Sequence, residues 1–410
     1  MSSVGHSNAS SNEVLQTRSR KPVAQSVVRE SKTGCESEAD GCETGVAPKA
    51  EASPGVKSRT PGVSPKRTHK AVPSPTKSRV NMALAMCAPI PAVLFCLWLF
   101  STHSLPSAVS NVSNVLHVSD VSWADTLLLH PFVCLNAILG VTLLGVLYPI
   151  SLAQNSVWLM DLSWTLIPPL VSLFYSSHPL AARHIDMDGS GSVSNMRSTV
   201  AFGLVCLWSA RLTYNYLRRE DFTLGQREDW RYAKMRRESR WFPVTQIGSV
   251  YILQQVLLVG LTLPLLAINM VYTPLQVSDV LLVLSALTGI EIAHSADGAL
   301  AAYMAKNAAL VSSGQSPIPV LDEGLWRYSR HPNYFGEQVF WWSLGLMGWR
   351  KGAYGMDWVL VGPLLNTLCL WMVTRMTEDR MTSSGTKVRQ SAYRKYQKTT
   401  SMWIPLPKRK

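Results

Sequence analysis

Charge is what this sequence has least of: only 16% of its 410 residues are Asp, Glu, Lys or Arg, where a soluble domain carries about 25%. So few charges cannot clothe a globular surface of this size, which excludes an ordinary soluble enzyme. Paired cysteines are missing as well. The seven Cys form no Cys-x-x-Cys pair, and Cys87, Cys96, Cys134, Cys206 and Cys369 lie inside apolar runs. That pattern argues against a disulfide framework and a structural zinc site, and no metal is expected. Internal repeats are absent too. What the chain does have is 47% hydrophobic residues and a net charge of +13, the make-up of a polytopic membrane protein with basic flanks.

Residues 1–80 hold no sustained apolar run and are rich in Ser, Thr, Pro, Lys and Arg. Such a segment buries too little apolar surface to offset the entropy of ordering, so a disordered tail is expected. Its second half is strongly basic, and Ser53, Thr60, Ser64 and Ser74 each precede a proline, where phosphorylation would place negative charge among the cations. Basic residues before a first apolar run place the tail in the cytosol. The Ser-rich start with few acids also suits an organelle transit peptide. Nucleic-acid binding has no motif support and is not expected.

A membrane-spanning helix needs about 20 apolar residues. Eight runs qualify: 82–101, 125–149, 156–175, 198–217, 247–272, 278–300, 333–349 and 356–376. The expected fold is therefore all-α, a polytopic bundle of about eight (7–9) transmembrane helices over residues 81–405, with a basic end at 406–410. A cytosolic start puts loop 218–243, with eight Lys or Arg, loop 304–332 and the basic C-terminus inside, while loop 102–124, without any, lies outside. Arg350 and Lys351 fall on the wrong side of this scheme, which suggests a re-entrant or tilted hairpin over 333–376. Asn111-Val112-Ser113 is a glycosylation sequon in the outer loop. Loop 177–196 contains Asp186-Met-Asp188-Gly-Ser190, the opening of an EF-hand-like loop, but its twelfth position is Arg197 instead of a carboxylate. A polar turn is the expectation there.

Ionisable residues at membrane depth are functional candidates by default. Asp161 lies between two tryptophans of the third run, and Glu337 lies ahead of Trp341 and Trp342. Glu291, His294 and Asp297 follow at intervals of three in the sixth run, a spacing expected to put them on one helical face. Between these runs, 325–337 reads LWRYSRHPNYFGE. Pro332 would open a helix there with free N–H groups beside Arg327, Arg330 and His331, suited to a phosphate-bearing ligand.

SRHPNYFGE at 329–337, followed by Trp341 and Trp342, resembles the signature of the DUF1295 proteins of the steroid 5-alpha-reductase C-terminal superfamily. NSVWLMDLSW at 155–164, LWSARLTYNYLRR at 207–219, REDWRY at 227–232 and SAYRKYQKTTSMWIP at 391–405 add to the resemblance, which covers roughly residues 125–405. It implies a membrane-embedded NADPH-dependent reductase of a conjugated carbon–carbon double bond in a steroid or other lipid. By position in the motif, Asn333, Glu337, Tyr328 and Asp297 would contact the cofactor, with Arg330, His331, Arg231, Tyr393 and Tyr396 as further candidates. Hydride addition to an enone places negative charge on its oxygen, which a carboxylic acid or tyrosine hydroxyl must meet. Asp161 and Glu291, with Tyr214 or Tyr334, are the catalytic candidates. The chain departs from the family at Ala293 and Ala299, where a Glu and a Gln are usual, with Glu291 shifted by two. Two other readings therefore stay open: a carboxyl methyltransferase using S-adenosylmethionine, and a non-catalytic sterol-binding or scaffold protein. The endoplasmic reticulum with both termini cytosolic is the expected location, a plastid membrane the alternative, and no obligate protein partner is inferred.

Overall fold

The computed structural model describes residues 75–103, 122–181, 196–270, 275–349 and 356–409. All of them belong to one compact unit, His69–Lys410. Almost all of the expected tail, the sequon at Asn111, the Asp-rich turn at 186–190 and the Arg350–Lys351 pair lie outside the described residues. Among the described residues there is no β-strand, only an isolated bridge between Ser329 and Ser401.

Helix α1, Pro75–Cys87, starts inside the segment expected to be disordered, and α2, Ile90–Thr102, follows it. The first apolar run is thus divided at Pro89, which cannot donate the hydrogen bond an unbroken helix needs. Ser122 caps α3, Trp123–Leu129, by accepting from the Asp125 amide at 3.1 Å. Helix α4, Pro131–Gln154, widens into a π turn over Val141–Leu147 and stops at Asn155, whose φ of 49° is left-handed. Next come α5, Trp158–Ser177, and α6, Met196–Arg219. A short α7, Trp230–Glu238, is capped by Asp229. Helix α8, Phe242–Met270, has its own π turn at Ile247–Ile252. The remaining helices are α9, Val277–Ser312, α10, Pro332–Trp349, α11, Val361–Ser383, and α12, Lys387–Thr399.

Five segments are long and apolar enough to cross a membrane: Lys77–Thr102, Pro131–Gln154, Phe242–Met270, Val277–Ser312 and Asp357–Ser383. Several apolar helices of this kind make the chain an integral membrane protein. The other three expected spans are helical, as α5, α6 and α10, but too polar to join the five. Their composition follows their position. Trp158, Trp208, Phe340 and Trp341 from these three helices are all at most 1% exposed, so protein surrounds them and an apolar outer face is not required. Trp208 stacks on Phe340 with centroids 5.9 Å apart and meets the edge of Trp341 at 5.0 Å.

Candidate functional site

Helices α9 and α10 approach so closely that two glycines are required at the crossing. A Cβ on Gly289 would lie 2.6 Å from the Gly336 carbonyl oxygen, and one on Gly336 would lie 2.7 Å from the Ala293 amide nitrogen. Small residues permit this contact between membrane helices. The contact brings Asp297 of α9 beside Asn333 and Glu337 of α10.

Arg211 of α6 completes the group. Its Nη1 donates to Asp297 Oδ2 at 3.0 Å and its Nη2 to Glu337 Oε1. The Trp208 indole donates to Glu337 Oε2 at 2.7 Å, and the Asn333 amide to Asp297 Oδ1 at 3.0 Å. Arg218 donates to the Asp297 carbonyl at 3.0 Å and to Asn215 at 2.8 Å. Two carboxylates thus share one guanidinium, with neutral donors filling their other lone pairs, the condition under which buried charges persist. Three atoms of this network, Arg211 Nε, Arg218 Nε and Asn333 Oδ1, are buried without a hydrogen-bond partner. Each costs about 1–3 kcal/mol if left so, which marks the place as one for water or a ligand's polar atoms.

A second polar layer adjoins the first. Asp229 accepts from Arg231 twice, at 2.9 Å each from Nε and Nη2, and its amide donates to Asp161 Oδ2 at 3.3 Å. Burial would raise the Asp229 carboxyl, but the Arg231 hydrogen bonds and charge outweigh it and hold the group below its ordinary value. The charges of Arg231, Asp229, Asp297 and Arg219 all act on the Tyr334 hydroxyl. Neither that hydroxyl nor the Arg219 guanidinium makes a hydrogen bond or ion pair among the described residues.

Beside these layers, the chain end straps down the start of α10. Amides of Arg330 and His331 donate to the Ser401 and Met402 carbonyls at 2.8 and 3.0 Å, and Leu406 donates to the Tyr328 carbonyl at 3.1 Å. Glu378 of α11 accepts from Arg330 Nε at 2.6 Å, His331 Nε2 at 3.2 Å and Gln397 at 3.0 Å. Tyr393 also bonds Glu378, while Tyr396 donates to the Trp326 and Ser329 carbonyls. Burial raises both phenols above the ordinary tyrosine value, so both stay neutral. Arg330, His331, Tyr393 and Tyr396 are therefore engaged in holding the strap. Tyr328 is 45% exposed.

Two sequence candidates lie elsewhere. Glu291 and His294 are exposed whereas Asp297 is buried, correcting the expectation of one shared face. Residues three apart are separated by about 300° around a helix, so two such steps carry Asp297 about a third of a turn away from Glu291. Tyr214 is 48% exposed and lines an open apolar groove of about 380 Å³ between α5 and α6, with Leu166, Pro169, Cys206 and Leu217. In the other direction, Arg211, Trp208 and Arg219 were not singled out from the sequence as site residues. The available signal was an arginine inside an apolar run, three residues after a tryptophan.

The profile of the family described as "Protein of unknown function (DUF1295)" matches residues 147–400. That stretch includes the Arg211–Asp297–Asn333–Glu337 network, the Asp161 layer and the side chains that hold the strap, and it ends just before the strap's own Ser401, Met402 and Leu406. The chain is also similar to "Uncharacterized protein C594.04c" of Schizosaccharomyces pombe, 26% identical over 298 residues that cover 67% of this chain and 80% of the relative. No solved structure matches. On the extent of the profile match, the chain belongs to the DUF1295 family.

Proposed function

We propose that the chain is a membrane-embedded reductase that uses NADPH to saturate a conjugated carbon–carbon double bond in a steroid or other lipid. The observation that carries this reading is the convergence, on one polar interior, of buried atoms without partners and the uncommitted Tyr334 hydroxyl. It also rests on the resemblance of the 329–337 motif to steroid 5-alpha-reductase-like proteins. The reading takes α5, α6 and α10 as further spans inside the five apolar ones, eight in all, with the interior opening to the cytosol of the endoplasmic reticulum.

The residues present fit a nicotinamide dinucleotide in two respects. Asn333 Oδ1 is a buried acceptor lacking a donor, suited to a carboxamide N–H. Arg219 is an exposed cation with no partner among the described residues, suited to phosphate. Arg231 and Arg330, candidates for that role from the sequence, are already neutralised by Asp229 and Glu378. Bound NADPH would supply the hydride. Tyr334 would then donate its hydroxyl proton, or a hydrogen bond, to the enone oxygen as charge develops there. The Arg231 charge, which acts on the Tyr334 hydroxyl, would stabilise the resulting phenolate, and Asp161 would hold Asp229 and the start of α7 in place through the Asp229 amide. Trp208 and Arg211 would fix the Glu337 and Asp297 carboxylates so that Asn333 presents its free oxygen.

The test is ligand-dependent stabilisation of purified protein, since a ligand at 100 times its Kd adds about 2.7 kcal/mol to the native state. The expected outcome is a rise in Tm with NADPH alone, reduced by Arg219→Gln, and enone reduction that Tyr334→Phe abolishes. A rise with S-adenosylmethionine in its place would move the chain to methyl transfer, and no rise with either in folded protein would leave a non-catalytic body.

A further inference from the structure

The open groove between α5 and α6 lies apart from the polar interior, with Leu166, Ala210 and Tyr214 exposed along it. Its volume of about 380 Å³ falls within the range of ligand sites, about 300–1,000 Å³. From Cys206 to Leu217 it follows α6 for about 16 Å at 1.5 Å per residue. The two lining hydroxyls that could interrupt its apolar wall are turned inward. Ser209 donates to the Thr165 carbonyl and Thr213 to the Thr165 hydroxyl, each at 2.7 Å. Apart from the Tyr214 hydroxyl at one end, the groove offers no free polar group, which suits an aliphatic chain and not water.

A cation stands at the Tyr214 end. The Arg218 guanidinium lies over the Tyr214 ring, 5.6 Å from its centroid. Arg197 and Arg211 of the same helix pair with acids. Arg218 donates only to neutral oxygens, that of Asn215 at 2.8 Å and the Asp297 main-chain carbonyl at 3.0 Å, and pairs with no carboxylate among the described residues. The acids next along the chain are engaged by Arg227, Asp221 through its side chain at 3.0 Å and Glu220 through its amide at 2.7 Å. Beside Tyr214, with ring centroids 6.4 Å apart, Phe222 is 64% exposed. It is presented by a turn in which Asp221 and Phe222 are both left-handed, at φ of 51° and 56°, a conformation that residues other than glycine keep only where their surroundings impose it. An exposed aromatic beside a cation suits the headgroup level of a bilayer.

We propose that this groove holds one acidic phospholipid, with an acyl chain laid against α5 and α6 and its phosphate at Arg218 and the Tyr214 hydroxyl. The phosphate gives Arg218 the opposite charge that no side chain supplies. An acidic head, lacking the ammonium of a zwitterionic one, leaves that attraction unopposed. Because Arg218 also holds the Asp297 carbonyl, the lipid braces the joint between α6 and α9. The site rests on α6 being one of the eight proposed spans and not on the reductase chemistry, which NADPH binding reads separately.

Native mass spectrometry of the full chain, delipidated in mild detergent and titrated with dioleoylphosphatidylglycerol, tests it. The expected result is one saturable adduct on the 45.3 kDa chain. Its affinity should exceed by about fivefold that of dioleoylglycerol, which has the same chains and no phosphate. Ala210→Trp fills the groove from an exposed position, so it should abolish the adduct and leave the Tm of the lipid-free protein unchanged. Arg218→Gln should bring phosphatidylglycerol down to the level of dioleoylglycerol. Equal binding of the two lipids by the parent chain, adducts that accumulate without saturation, or an adduct undiminished in Ala210→Trp would each overturn the site.

Discussion

A single guanidinium, Arg211, with its side chain 5% exposed, faces two carboxylates. Its replacement by methionine would leave Asp297 and Glu337 as neighbouring buried charges, a cost of about 3–5 kcal/mol for a broken buried pair. Thermal unfolding in detergent should show a large fall in Tm for Arg211→Met. Glu337→Gln keeps one acceptor oxygen for Arg211 and leaves Asp297 to pair the guanidinium, at the expense of the Trp208 hydrogen bond, and should lose less. His178, just past α5, is a second residue with a measurable signature. It is 0% exposed between Phe100 and Phe174, its Nε2 has no partner, and burial pushes its pKa down to about 4. In the unfolded chain the imidazole takes up a proton below about pH 6.5, while the folded one resists until about pH 4. Its contribution is thus complete above pH 6.5 and is lost as pH falls toward 4, roughly 3 kcal/mol in all. His178→Phe should flatten that part of the stability profile, as measured by denaturant unfolding from pH 7 to 4. At this scale the sequence was informative wherever a motif held a residue in register: Asp297, Asn333 and Glu337 do meet. Arg211 escaped notice because its partners lie on helices distant in sequence, so only the fold reveals their common point.

The helices themselves were readable from apolar run length, and every expected span corresponds to helix. Their boundaries and their ranking were less so. The first run, expected as one span over 82–101, is divided at Pro89 into α1 and α2, and the π turns of α4 and α8 leave no trace in composition. Run length alone also did not separate the more polar α5, α6 and α10, packed among other helices, from the five apolar segments. The α9–α10 crossing was invisible in advance, since a glycine in an apolar run reads the same whether or not another backbone lies against it. Here it does, and the prediction is sharp. Gly289→Ala or Gly336→Ala should force the helices apart at about 1–3 kcal/mol and lower the Tm. Gly298→Ala, on the same helix, would meet nothing within 4 Å and should be neutral or slightly stabilising.

For the whole molecule, five apolar segments predict that alkaline carbonate washing leaves the protein in the membrane pellet; recovery in the supernatant would contradict them. The arrangement also bears on how the chain enters a membrane. Helix α6 carries Arg197, Arg211, Arg218 and Arg219, and its acidic partners Asp279, Asp297 and Glu337 lie on α9 and α10. During synthesis α6 emerges well before those partners exist, and alone it is a poor candidate for release into lipid. On the eight-span reading proposed above, its lateral exit from the translocation machinery would wait for α9 and α10, making insertion a cooperative event timed by the later helices. A nascent chain halted before residue 297 would present unpaired arginines in the bilayer, a mark by which cellular quality control could tell an unfinished copy from a finished one.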